Sequence, residues 1–123
     1  PHVERALGVA CWALGRLPEA LLHLEQGAAA ARRAKEPLLA AQVPILAIDV
    51  LAQLGRPEEA VRLARRLRRC FARLHSPEDA ARVLANQGNV HFQGGELARA
   101  GACWRRARGW FASQSQDAAV AQL

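Results

Sequence analysis

The sequence predicts an all-α protein built as a solenoid of three stacked helical hairpins, and three observations carry that prediction. Tyr and Thr are absent, Val and Ile are sparse, and Ala, Leu, Arg and Glu dominate, so strand propensity is low and helix propensity high along the whole chain. The stretch ALGRLPEA, Ala13 to Ala20, returns as QLGRPEEA from Gln53 to Ala60 and as QGGELARA from Gln93 to Ala100. Gly15, Gly55 and Gly95 therefore recur every 40 residues, as do Ala20, Ala60 and Ala100, and a period of that length marks a repeat architecture. Each of these glycines follows a helix-forming run and precedes a Pro or Glu suited to the first turn of the next helix, so one period holds two helices.

The punctuation divides the chain into six helical segments. The first runs up to Gly15. The second opens at Pro18, which suits a first turn rather than breaking one, and ends near the AKEP around Pro37. The third is drawn from Leu38 to Leu54, where Pro44 removes a hydrogen bond and forces a kink or a late start. The fourth opens at Pro57 after Gly55 and runs to HSPED, where Ser76 is read as the cap of the fifth. The fifth ends at Gly94 and Gly95. The sixth begins near Glu96 and is expected to stop at SQSQD, from Ser113, before a further helix over 117–123. The repeat units are thus about 1–36, 37–76 and 77–116 of one domain spanning 1–123. Ala20, Ala60 and Ala100 are small because two helices joined by a short turn cross closely.

The 123 residues are enough to bury a core without staples. Pro1 in place of Met, and the apolar run DAAVAQL at the other end, lead us to expect a piece of a larger protein. The hydrophobic fraction is 51% and the charged fraction 23%, no run of ~18 apolar residues suggests a membrane span, and the opening PHVERALG lacks the apolar stretch of a signal peptide. Cys11, Cys70 and Cys103 are odd in number and set among apolar neighbours, which fits free thiols and a cytoplasmic location. The 17 bases against 11 acids give a net charge of +6, which favours acidic partners without choosing among them.

Little in the chain points to catalysis. Ser76, Ser113 and Ser115 are the only hydroxyls, and no nucleophile elbow, phosphate loop or paired-carboxylate motif is present. Glu58, Glu59, Glu78 and Asp79 read as first-turn acids that complement helix dipoles. Cys11 and His91 are two repeats apart, ~20 Å for stacked helices at ~8–10 Å, far beyond metal-ligand reach. We therefore expect no enzyme, no metal and no cofactor.

The spacing of Leu7, Gly8, Cys11, Gly15, Ala20 and Leu24, and again of Gly88, His91, Gly95, Ala100, Trp104 and Ala107, resembles the tetratricopeptide repeat. The long period and NQGN, Asn86 to Asn89, resemble the Leu-Gly-Asn repeat scaffolds. The middle unit departs from the pattern, with Ile48 where Gly is usual and Ala64 where Leu or an aromatic residue is usual. The resemblance implies a right-handed superhelical stack and a non-catalytic protein-interaction scaffold. A peptide or helix would bind in a concave groove lined by the first helix of each unit. On this mapping the groove comprises Arg5, Val9 and Trp12, then Asp49 and Gln53, then Arg82, Asn86, Asn89 and Gln93. The amides could satisfy the backbone groups of an extended ligand, and Arg5 and Arg82 would steer acidic ones. Asn89 also reads as solvated helix surface and Trp12 as core.

The alternative is a basic nucleic-acid- or phospho-partner-binding module. Arg62, Arg66, Arg69 and Arg73 form one stripe, with Arg65 and Arg68 beside it. No aromatic residue is interleaved on the stripe as single-strand binding would favour, and the same residues also read as a solvated outer face with Glu58 and Glu59 pairing to Arg62. A third reading is self-association through exposed repeat ends around Val3 and Val120.

Overall fold

A computed structural model describes the backbone of residues 1–121 and the side chains of residues 1–115. Helices α1 (His2–Ala13), α2 (Leu17–Arg33), α3 (Pro37–Gln42), α4 (Ile45–Gln53), α5 (Pro57–Arg73), α6 (Pro77–Gln93) and α7 (Leu97–Ala121) follow one another without a strand among the described residues. The protein is an all-α solenoid. Apart from α3 and α4, which follow each other as two pieces of one element, each helix packs on its sequence neighbour, and α2 and α4, then α4 and α6, pack across hairpins. The main core, with Leu24, Val43, Ile48, Val50, Phe71 and Val83, runs from the first hairpin into α6, and a smaller cluster of Leu84, Cys103 and Ala107 lies between α6 and α7.

Pro44 acts as its chemistry requires. Having no N–H to continue the ladder, it separates α3 from α4, and the first helix of the second hairpin is two pieces. At SQSQD the expectation of a stop is corrected: α7 passes through Ser113 to Asp117 without interruption, so no separate helix begins at 117. Ser, Gln and Asp carry only modest helix penalties, and the stretch holds neither Gly nor Pro to enforce an end. Residues 122–123 of that predicted element, and the side chain of Val120, lie outside the described residues.

The turns repeat at half the expected period. Gly15, Gly55 and Gly95 have φ of 76°, 76° and 78°, and Lys35 and His75 sit at 58° and 54°, so a left-handed residue falls every 20 positions. Each closes a helix in the same way. The left-handed residue's N–H donates three residues back, as Gly15 does to Trp12, and the next N–H donates five back, as Arg16 does to Cys11 at 2.8 Å. This double bond satisfies carbonyls that the helix end leaves free. Nothing lies within 4 Å of where a Cβ would stand at the three glycines, so the backbone angle alone requires them. Lys35 and His75 adopt the same angle against the ~1–2 kcal/mol handicap of an L side chain there. His75→Gly is expected to stabilise the protein by about 1 kcal/mol, and Gly55→Ala to destabilise it by at least as much, in urea denaturation.

The hairpin crossings explain the two departures in the middle unit. A Cβ on Gly8 would lie 2.8 Å from Leu24 Cδ2, and one on Gly88 would lie 2.5 Å from Trp104 Nε1. In the second hairpin the corresponding positions are Ile48 and Ala64, both 0% exposed. The large side chain comes from the first helix there and from the second helix in the other two hairpins, so each crossing holds one large and one small residue.

Candidate functional site

Arg5, Val9 and Trp12 lie on α1, Asp49 and Gln53 on α4, and Arg82, Asn86, Asn89 and Gln93 on α6, the first helix of each hairpin in every case. Their spacing of three and four residues keeps each set on one helix face. The structure joins two of them across a hairpin boundary: the Trp12 indole N–H donates to Gln53 Oε1 at 3.2 Å. Arg5, Val9, Asn89 and Gln93 are exposed, while Trp12, Asp49 and Asn86 are half-buried. Trp12 is half-buried: its ring packs against the core while its N–H meets the exposed amide of Gln53.

Two of the predicted residues have other engagements. Arg82, itself exposed, pairs with Glu78 at 2.7 Å and lies 3.7 Å from Asp79, so an acidic ligand would have to compete with those carboxylates for it. Asn89 accepts a hydrogen bond from the Trp104 indole at 3.2 Å, which turns its carbonyl towards α7. Trp104 also packs near Phe92, with ring centroids 5.5 Å apart.

Asp49 is the electrostatic anomaly of the set. Its carboxylate makes no ion pair among the described residues, and burial pushes its pKa above the usual aspartate range. A carboxyl whose folded pKa is raised binds a proton more readily in the native state. Stability is therefore greatest while Asp49 is protonated and falls as pH rises from the unfolded pKa through the folded one. Asp49→Asn should raise the melting temperature at pH 7, and the advantage should vanish once the pH is taken below the ordinary aspartate range.

Asp79 stands in the first turn of α6 as expected, but the sequence did not reveal that it is buried, accepting from Gln42 Nε2 at 3.0 Å and from Ser76 Oγ at 2.7 Å. Ser76 stands at the N-cap of α6 as expected, but its hydroxyl bonds Asp79 and makes no side-chain cap to the helix backbone. The Ser-Pro-Glu-Asp string was compatible with either bond. Gln42 reaches the same carboxylate oxygen from the neighbouring hairpin. His91 is likewise buried, within 3.3 Å of Glu96 and 3.5 Å of Gln87.

The arginine stripe of α5 is solvent-exposed at Arg62, Arg66, Arg69 and Arg73, and one edge of it borders a cleft. Arg62, Arg66 and Arg73 wall a cleft of about 720 Å³ between α2 and α5, with Arg32 on the opposite wall and Arg56 at the start of α5. Its floor is apolar, formed by Ala28, Ala41, Ala47, Leu51, Leu63 and Leu67. Arg69 falls outside the cleft lining, and Arg68 is half-buried, donating to Gln87 Oε1 at 3.3 Å. Burial, and secondarily the nearby Arg106, depress the Arg68 pKa. Glu59, read as a partner for Arg62, instead binds Arg56 through two bonds of 3.0 and 2.6 Å.

Known sequences bear on these surfaces. The sequence model described as Tetratricopeptide repeat matches residues 1–26, 45–66 and 81–106, more than half of the chain and one stretch in each hairpin. No curated protein matches the chain. None of the described helices is long and apolar enough to cross a membrane.

Proposed function

The chain belongs to the tetratricopeptide repeat family, whose members generally act as non-catalytic modules of protein–protein interaction, and from that premise we propose that it binds a peptide or helix along the first helices of its hairpins. The observation that carries this reading is the Trp12–Gln53 hydrogen bond. It fixes an aromatic ring and an amide from successive hairpins side by side on that surface. An extended ligand brings unpaired backbone N–H and C=O groups, and the Gln53, Asn86 and Gln93 amides can donate and accept to them. Trp12 supplies an apolar anchor that is already oriented, so little side-chain entropy is lost on binding. Arg5, exposed and without an ion pair among the described residues, adds a preference for acidic side chains near the first hairpin. A cytoplasmic setting belongs to the same proposal.

Selection from a phage-displayed peptide library against the purified chain tests it. Gln53→Ala combined with Gln93→Ala should weaken the selected peptides by about tenfold, equivalent to ~1.4 kcal/mol, with helicity by circular dichroism unchanged. Selected peptides that bind both forms equally would count against this surface.

A further inference from the structure

The cleft on the other side of the molecule is built for a ligand of different character. Five arginines line it, Arg32, Arg56, Arg62, Arg66 and Arg73, against the two carboxylates of Glu25 and Glu59, an excess of three positive charges. Only Arg56 among the five is ion-paired within the described residues, to Glu59, so Arg32, Arg62, Arg66 and Arg73 have no carboxylate of their own. Between these charges lies a floor of alanine and leucine, open because Pro44 divides the helix beneath it and because its alanines are short.

We propose that this cleft is a second docking site, and that its occupant is an amphipathic partner helix of about three turns carrying acidic side chains along the edges of its apolar stripe. The floor removes an apolar face from water, and the flanking guanidiniums meet carboxylates in charge-assisted pairs. The length follows from α5, on which Arg62 and Arg73 are separated by ~16 Å of helix. The distribution of charge selects a helix over a single-headed anionic amphiphile, because the arginines run the length of the cleft rather than gathering at one end. The floor selects it over nucleic acid: no aromatic side chain lines the cleft for base stacking, and a phosphodiester strand has no apolar stripe to bury. A second copy of the chain is a poor match, since no stretch of its sequence places acidic residues at successive turns of one face; Glu58, Glu59, Glu78 and Asp79 are confined to first turns.

The probe is a fluorescent synthetic 15-residue helix with a leucine stripe flanked by glutamates, compared with the same peptide bearing lysines and with a 12-nucleotide single-stranded DNA. Anisotropy at low salt should show saturable binding of the glutamate peptide with a Kd of tens of micromolar, and no comparable binding of the other two. Arg62→Glu with Arg66→Glu should weaken it at least tenfold and let the lysine peptide bind. Arg62→Gln with Arg66→Gln should weaken it without that reversal, which separates lost attraction from lost folding. Amide shifts in an isotope-labelled sample should cluster on α2 and α5. No saturable binding up to about 1 mM, insensitivity to both double variants, shifts centred on Trp12 and Gln53, or tighter binding of the DNA would each overturn the proposal. Because the Gln53 and Gln93 variants leave this cleft intact, the two surfaces can fail independently.

Discussion

Ile48→Gly is expected to destabilise the protein by about 3–5 kcal/mol, Ala64→Leu by about 1–3 kcal/mol, and the two together by less than their sum. Ile48 is 0% exposed in the core, so its removal leaves a cavity and places a helix-weakening glycine in α4. Ala64 is 0% exposed on α5, and a leucine there has no free volume to enter while Ile48 is in place. The double variant restores the arrangement seen where Gly8 faces Leu24, with the large residue on the second helix. The coupling between the two changes should amount to about 1–3 kcal/mol in favour of the pair, measured by urea denaturation of all four proteins. Strict additivity would show that positions 48 and 64 do not share one space. Since domains of this size are only ~5–15 kcal/mol stable, Ile48→Gly alone should move the unfolding midpoint by a large fraction of its value.

Asp79→Ala carries the second large effect, a loss of about 2–3 kcal/mol. The carboxylate is 5% exposed and accepts two short bonds, one from Ser76 in its own hairpin and one from Gln42 in the hairpin before. Its removal leaves two donors short of a charged acceptor, such bonds contribute ~1.5–3 kcal/mol each net of solvation, and the half-buried Ser76 and Gln42 recover part of that loss from water. The damage should be local, because repeat stacks are held together by neighbour interfaces. Hydrogen exchange should quicken in α6 and α7 more than in α1 and α2. A cycle with Gln42→Ala should return a coupling of about 1–2 kcal/mol. Equal acceleration along the chain would mean that Asp79 does not tie the third hairpin to the second.

The parts of the fold that were legible in the sequence are those that need a particular residue. Gly15, Gly55 and Gly95 stand where the backbone turns left-handed, and because no other residue adopts that angle as cheaply, the 40-residue period was visible. The 20-residue period of the turns was not, since Lys35 and His75 adopt the same conformation without announcing it. Pro44 could be read because it lacks a donor wherever it stands. Ser113 to Asp117 was misread because polar residues that favour loops are also tolerated in a helix when nothing enforces its end. Ile48 and Ala64 looked like two departures and are one exchange, visible only when the crossing is seen from both sides.

The surfaces divide in the same way. Helical spacing placed Arg62, Arg66 and Arg73 on one face of α5, but what that face looks onto depends on how far α2 stands away, a property of three helices together. Arg82 was correctly placed on α6, yet Glu78 one turn earlier pairs with it. Asp79 was hidden for a comparable reason: its partner Gln42 is 37 residues away, beyond any local pattern.

Everything depends on the hairpins stacking in register, and nuclear Overhauser contacts between side chains in solution test that most directly. The stack predicts cross-peaks from the Trp12 indole proton to the Gln53 side chain, joining the first hairpin to the second, and from the Gln42 amide protons to the Asp79 β-protons, joining the second to the third. A spectrum with contacts inside each hairpin and neither of these between hairpins would contradict it.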